Sequence, residues 1–203
     1  NTMMLKPAPD TPWLAGELGR LAATFTDLPP GVLNIVTPSD TAVASLLVSD
    51  PRVDLVSFTG STATGRTLAA AAASTIKRTF LELGGKSAAL VLDDADLEKA
   101  VGSAAFMVSV HAGQGCALTT RLLVPRPRYD EAVQIAAATM AGLGPGDPAD
   151  PGTVCGPVIS ARQRDRVLGY LELARQEGGR FACGGGTATP EAISPVGSGS
   201  VRP

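Results

Sequence analysis

Apolar positions along this chain recur in two alternating rhythms. Short runs of consecutive or every-second apolar residues predict strands over 3–6, 32–36, 55–58, 78–83, 88–92, 119–124 and 180–183. Between them the apolar spacing lengthens to three or four residues, as on one face of a helix. The first such helix is expected to start at Thr11-Pro12, a hydroxyl N-cap followed by proline at the first helical position, with Leu14, Leu18, Leu21 and Ala22 as its stripe. Further helices are predicted over 41–48, 66–73 and 129–143, from an Asp96 cap to about residue 110, and from a Ser160 cap through Arg175. The segment GPGDPADPGTVCGP, 144–157, is a loop by composition, and residues 187–203 carry no periodic apolar pattern and are expected to be a disordered tail.

Strands that alternate with helices need crossover connections. The fold class is therefore α/β, with Rossmann-like, doubly wound, largely parallel sheets. Ligands of such sheets bind at the carboxyl ends of the strands. Lys6, the loop at Gly60 and Glu82 all fall at predicted strand ends and are expected to share one cleft.

Composition narrows the chemistry mostly by exclusion. The 203 residues are 44% hydrophobic, enough for a buried core, but only 4% aromatic, so that core must be built from Ala, Leu and Val. Net charge is −2 with both signs interspersed, which provides no electrostatic footprint for nucleic acid or an anionic membrane. No basic start with an apolar run and no apolar stretch of bilayer-spanning length is visible, so a cytoplasmic chain is expected. Cys116, Cys155 and Cys183 are far apart, and His111 is the only histidine, which argues against both a disulfide framework and a metal site. His111 itself reads as a polar surface or capping group rather than a base.

The glycine-rich stretch FTGSTATGRT, 58–67, leaves an apolar strand and enters an alanine-rich helix, the setting of a phosphate cradle. Two readings compete. Gly60 to Thr67 approaches the nucleotide triphosphatase loop G-x-x-x-x-G-K-[ST], and AALVLDD, 88–94, resembles a strand ending in a metal-binding aspartate; Arg66 in place of the lysine disfavours this. In the other reading Gly60 turns the strand tightly, helix N-terminal amides meet a pyrophosphate, and Ser61 adds a hydroxyl. A loop that merely turns a corner is the bland alternative. Cys116 lies in a second glycine-rich break, GQGCALTTR, where main-chain amides can approach a bound group and leave a thiol accessible. Glu82, flanked by apolar residues, reads as a buried strand-end carboxylate of raised pKa, suited to general-base work.

Taken in order, LKPAPDTP, FTGSTATG, LELGGKS and GQGC resemble the aldehyde dehydrogenase superfamily, densely to about residue 125 and more loosely to about 186. The resemblance implies that residues 1–83 are part of an NAD(P)-binding domain and 84–186 part of a catalytic domain. It implies Cys116 as the nucleophile that attacks an aldehyde, hydride transfer to NAD or NADP, and Glu82 as the base that hydrolyses the resulting thioester. Gly60, Ser61 and Gly65 are similar to the pyrophosphate turn, Lys6 to the lysine on the adenosine ribose, and Gly84 to the glycine beside the nicotinamide. The implied partners are a small-molecule aldehyde and further copies in a homo-oligomer. Pro9 departs from the pattern: NAD-preferring members carry a ribose-binding glutamate there, so NADP becomes admissible. The family's second oxyanion donor and its E-x-F-G-P motif have no counterpart. The isolated chain is therefore expected to have little or no activity, since losing one oxyanion donor costs on the order of 100-fold or more in rate. A phosphate-loop nucleotide-binding protein or a non-catalytic association fragment are the alternatives.

Overall fold

Each parallel pair in this chain is made the same way: a short strand, a helix that crosses over, and a second strand laid beside the first. The computed structural model describes residues 1–186; the tail expected over 187–203 lies outside the described residues. The chain divides into two compact units, Asn1–Leu83 and a second beginning at Gly84.

In the first unit, β1 (Met3–Leu5) pairs in parallel with β2 (Leu33–Ile35), and α1 (Trp13–Phe25) crosses between them. A side chain at Gly19 of α1 would lie 2.8 Å from Ile35 Cγ1, so glycine lets the helix lie close on β2. The second pair joins β3 (Leu55–Gly60) to β4 (Arg78–Leu83) through α3 (Thr62–Ala73). Helix α2 (Thr41–Ser49), capped by Asp40 on the Ala42 N–H, packs against α3, and Val48 and Ala72 are buried. Lys77 Nζ donates to the carbonyls of Asp50 and Val53, tying the start of β4 to the turn that delivers β3. Within that turn the Arg52 guanidinium, and then its N–H, bond Asp50 and hold its carboxyl well below the usual carboxylate range. A depressed carboxyl stabilises the fold above its unfolded pKa, so this contribution is lost only as pH falls through the acid range.

In the second unit β5 (Ala88–Leu90) pairs in parallel with β6 (Arg121–Leu123) across α4 (Leu97–Ser109). Asp96 caps α4 on the Lys99 N–H. Helix α5 (Tyr129–Ala141) lies against α4, where Gly102 approaches Thr139. The core here is Val91, Leu97, Val101 and Ala132, with Leu122, Val124 and Ile135 around it. Small aliphatic residues fill it, as an aromatic-poor sequence requires. A long loop follows, closed by a bridge between Pro145 and Cys155, and α6 (Ala161–Gln176) starts on its Ser160 cap.

The α/β class and parallel pairing agree with the sequence reading, and among the described residues the strands form three two-stranded sheets. Alternation reveals crossovers; it carries no information about which pairs become neighbours. Two local expectations are corrected. Thr11 is not the cap of α1: its N–H bonds Ala8 C=O, while Pro12 already has helical angles and accepts the Gly16 N–H. Nor do residues 180–183 form a strand, because Phe181 turns back under the Arg175 guanidinium, 5.1 Å from the ring centre, and Gly184 and Gly185 take positive φ.

The C-terminus of α3 stores strain. Ile76 takes φ 55° while 92% exposed, where a glycine is the usual residue. The left-handed conformation costs a β-branched residue roughly 1–2 kcal/mol and glycine almost nothing, against an entropic penalty for glycine of about 0.5–1 kcal/mol. Ile76→Gly is expected to raise the urea midpoint, by about 1 kcal/mol in unfolding free energy; a lowered midpoint would contradict this account of the helix end.

Candidate functional site

The phosphate-cradle stretch folds as a strand end followed at once by a helix start. β3 runs through Gly60, which pairs with Leu83, so the turn begins one residue later than expected, at Ser61. Gly60 is not needed for its φ. A side chain there would sit 2.5 Å from the tip of the Phe58 ring, which lies on the same face of the strand. Ser61 caps α3: its Oγ accepts the Thr64 N–H at 3.1 Å and lies 2.9 Å from Thr64 Oγ1. Residues 59–64 are exposed, so the first turn of α3 presents its backbone N–H groups to solvent, a position that attracts an anion. Gly65 plays a different part. It is buried one turn into α3, and a side chain there would be 2.6 Å from Leu83 Cδ2. Its role is to let the helix lie on β4.

Lys6 follows β1, half-buried, with Nζ donating to the Pro7 carbonyl. Beside it, at the carboxyl ends of β1 and β2, an open cleft of about 240 Å³ is lined by Pro7, Ala8, Pro9, Pro12, Thr37, Pro38 and Ser39. Pro9 thus faces the space next to the lysine rather than lying in an unrelated loop.

Glu82 is the second-last residue of β4, paired with Thr59, one step before the Gly60–Leu83 pair. Parallel register therefore sets the carboxylate beside the turn at the carboxyl end of β3. The expectation of a buried carboxylate is overturned: Glu82 is exposed. Its apolar neighbours Leu81 and Leu83 point to the opposite face, because successive side chains of a strand alternate, and the apolar run does not reach Glu82 itself.

In the second unit, Gly84 is exposed with nothing within 4 Å of a side chain placed there, which leaves its backbone open to approach. Gly85 faces the Cys116 carbonyl, a side chain there coming to 4.0 Å. Arg121 Nε donates to Lys86 C=O at 2.7 Å and fixes this glycine segment to the strand that follows the cysteine. Cys116 is a free, exposed thiol, as are Cys183 and the less exposed Cys155 in being unbridged. The turn that delivers Cys116 is unusual: His111 and Ala112 both take φ 54°, and Gly113 takes φ 72°. His111 is exposed on this turn, where histidine is among the residues that tolerate the left-handed region. Sequence reading passed over Gln114, whose side chain holds the turn through His111 C=O and reaches Ile159 N–H. The only signal for it was a lone amide set between two glycines.

Parallel strand pairs joined by crossover helices, with a helix start and a carboxylate brought to the ends of one pair, define an α/β class of fold of Rossmann-like type. Comparison with known proteins carries this further. The aldehyde dehydrogenase family model matches residues 1–196. A geranial dehydrogenase of Castellaniella defragrans is 46% identical over 170 residues, 84% of this chain and 35% of that protein. A betaine aldehyde dehydrogenase of Cereibacter sphaeroides is 43% identical over 185 residues, 91% of this chain and 38% of that protein. The crystal structure of a Mycobacterium tuberculosis aldehyde dehydrogenase complexed with NAD+ superposes with a TM-score of 0.87 at 44% identity, over 92% of this chain and 38% of that one. The chain belongs to the aldehyde dehydrogenase family, and it spans between 35% and 40% of the length of the curated relatives it matches. Among the described residues, no helix is long and apolar enough to cross a membrane, and no cluster of three His, Cys, Asp or Glu side chains is placed to hold a metal.

The Gly65–Leu83 contact can be tested directly. Gly65→Ala gains helix propensity but forces a buried methyl onto Leu83, and overpacking of this kind costs typically 1–3 kcal/mol. Urea unfolding is expected to show a net loss of about 1 kcal/mol, part of which Leu83→Val in the same chain restores.

Proposed function

We propose that this chain serves an enzyme that oxidises an aldehyde to a carboxylic acid with NAD or NADP, with Cys116 as nucleophile and Glu82 as general base. The observation that carries the reading is the setting of Cys116: an exposed thiol three residues beyond a fixed, left-handed turn, with the Gly85 backbone alongside. On this reading residues 1–83 contribute to the cofactor domain and residues 84–186 to the catalytic one. Family membership favours it over a triphosphatase loop, and Arg66 lies exposed on α3.

The residues present suit a dinucleotide. The exposed N–H groups at the Ser61-capped start of α3 match a pyrophosphate, with Gly60 contributing no side chain to obstruct it. Lys6 and the adjoining cleft match the adenosine ribose, and Gly84 leaves room for the nicotinamide to pass near the backbone. When bound, NAD or NADP supplies the two-electron oxidising equivalent that turns a thiohemiacetal into a thioester. Cys116 adds as thiolate to the aldehyde carbon, forming the C–S bond, and its own N–H stabilises the negative oxygen. Glu82 then takes a proton from the water that attacks the thioester; the C–S bond breaks, the acid leaves and the thiol is restored. Its exposure lets that proton pass to solvent.

A second reading has an observation of its own. Helix α1 buries none of its residues, and Trp13, Leu14 and Phe25 are 83%, 79% and 71% exposed, as on a surface made for association. Concentration-dependent complex formation that is unchanged by Cys116→Ala would favour it.

Two outcomes follow from the enzymatic reading. Iodoacetamide under limiting conditions is expected to label Cys116 about 10-fold or more faster than Cys183, which is also exposed and followed by glycines but does not sit behind the hydrogen-bonded 111–114 turn; equal rates, read by mass spectrometry, would remove the nucleophile assignment. Pro9→Glu places a carboxylate in the cleft beside Lys6 and is expected to weaken NADP binding relative to NAD by about 10-fold, because a carboxylate accepts ribose hydroxyls and repels a 2′-phosphate. Calorimetric titration with both dinucleotides checks this.

A further inference from the structure

The turn before Cys116 requires something to hold it. His111 and Ala112 are consecutive non-glycine residues with φ 54°, ψ 32° and φ 54°, ψ 35°, and Gly113 continues at φ 72°. Left-handed conformation is disfavoured for each of the first two and is normally visited singly. Gln114 takes part in three hydrogen bonds, two of which end on the turn. Gln114 N–H donates to His111 C=O at 3.2 Å, and Gln114 Nε2 donates to the same carbonyl at 2.8 Å. The other end of the carboxamide, Oε1, accepts the Ile159 N–H at 2.9 Å. Ile159 immediately precedes Ser160, the cap of α6, so this anchor is itself fixed to a helix start. Gly115, next along, has no room for a side chain, since one would lie 2.9 Å from Leu118 Cγ. The thiol follows directly.

We propose that Gln114 is a positioning residue for Cys116: its carboxamide locks the left-handed 111–113 turn and pins it to the loop before α6, fixing the direction in which the Cys116 thiol and N–H leave the turn. The inference rests on the assignment of Cys116 as nucleophile. The hydrogen-bond partners of Gln114 are the His111 carbonyl and the Ile159 N–H, so it acts through the backbone. Each end of its side chain has a separate task, the N–H₂ on the turn and the oxygen on Ile159, so a residue of the same length without polar ends loses both. Were the clamp released, the two non-glycine residues would relax toward right-handed conformations and Cys116 would be spread over many orientations.

The full chain is compared as wild type, Gln114→Met and Gln114→Met with Ala112→Gly. Amide hydrogen exchange reads the clamp at Ile159, and competitive iodoacetamide labelling reads Cys116 against Cys183 in the same molecule. Gln114→Met is expected to remove protection of the Ile159 amide and slow Cys116 labelling at least 5-fold while Cys183 stays within 2-fold. Adding Ala112→Gly, which adopts positive φ without strain, is expected to recover most of the Cys116 rate but not the Ile159 protection. That split separates positioning from general support of the fold. The proposal is overturned if Cys116 labelling in Gln114→Met stays within 2-fold or rises, if Cys116 and Cys183 change together, or if Ala112→Gly restores nothing. Should wild-type Cys116 react no faster than Cys183, the nucleophile assignment fails on its own, and the ratio between variant and wild type still reports on Gln114.

Discussion

Parallel pairing of β3 with β4, in the register that sets Thr59 opposite Glu82 and Gly60 opposite Leu83, is the constraint on which the arrangement of the first unit's strand–helix junction depends. Parallel strands end on the same side, so a helix leaving one strand and a carboxylate near the end of the other are brought together with no further device. The helix must then lie close on the pair, which Gly65 allows by yielding its space to Leu83. Its N-terminus must also stay free of other partners, which Ser61 allows by capping only the Thr64 N–H. A slip of one residue would turn Glu82 to the opposite face and take the cradle with it.

The second unit solves a different problem. On the proposed reading its thiol must be both exposed and oriented, and an exposed loop is ordinarily mobile. Here the loop residues are fixed by hydrogen bonds that span the unit, from Arg121 to Lys86 and from Gln114 to Ile159, while the aliphatic core of α4 and α5 stays out of the site. Near Cys116, backbone groups are held by long polar side chains.

Much of the fold could be read along the chain. Capping residues Asp96 and Ser160 and the apolar runs at 55–58 and 78–83 located elements to within a residue or two, because caps and strand alternation are local effects. Reading failed where a residue's surroundings are set by distant segments. Residues 180–183 carry strand-like composition, yet the Arg175 guanidinium takes Phe181 and the chain folds back. Glu82 sits among apolar neighbours in the sequence and is exposed in space, since alternation across the strand separates it from them.

Residue types and spacing alone were sufficient for the α/β class and for locating the two glycine-rich turns, because turn chemistry and periodicity act over a few residues. Folding in three dimensions fixed the rest. Which strands became neighbours, which glycine serves packing rather than a ligand, and which amide reaches across 45 positions to Ile159 all depend on contacts between segments remote in the chain. Such contacts form only when the whole backbone has settled, and no local pattern encodes them.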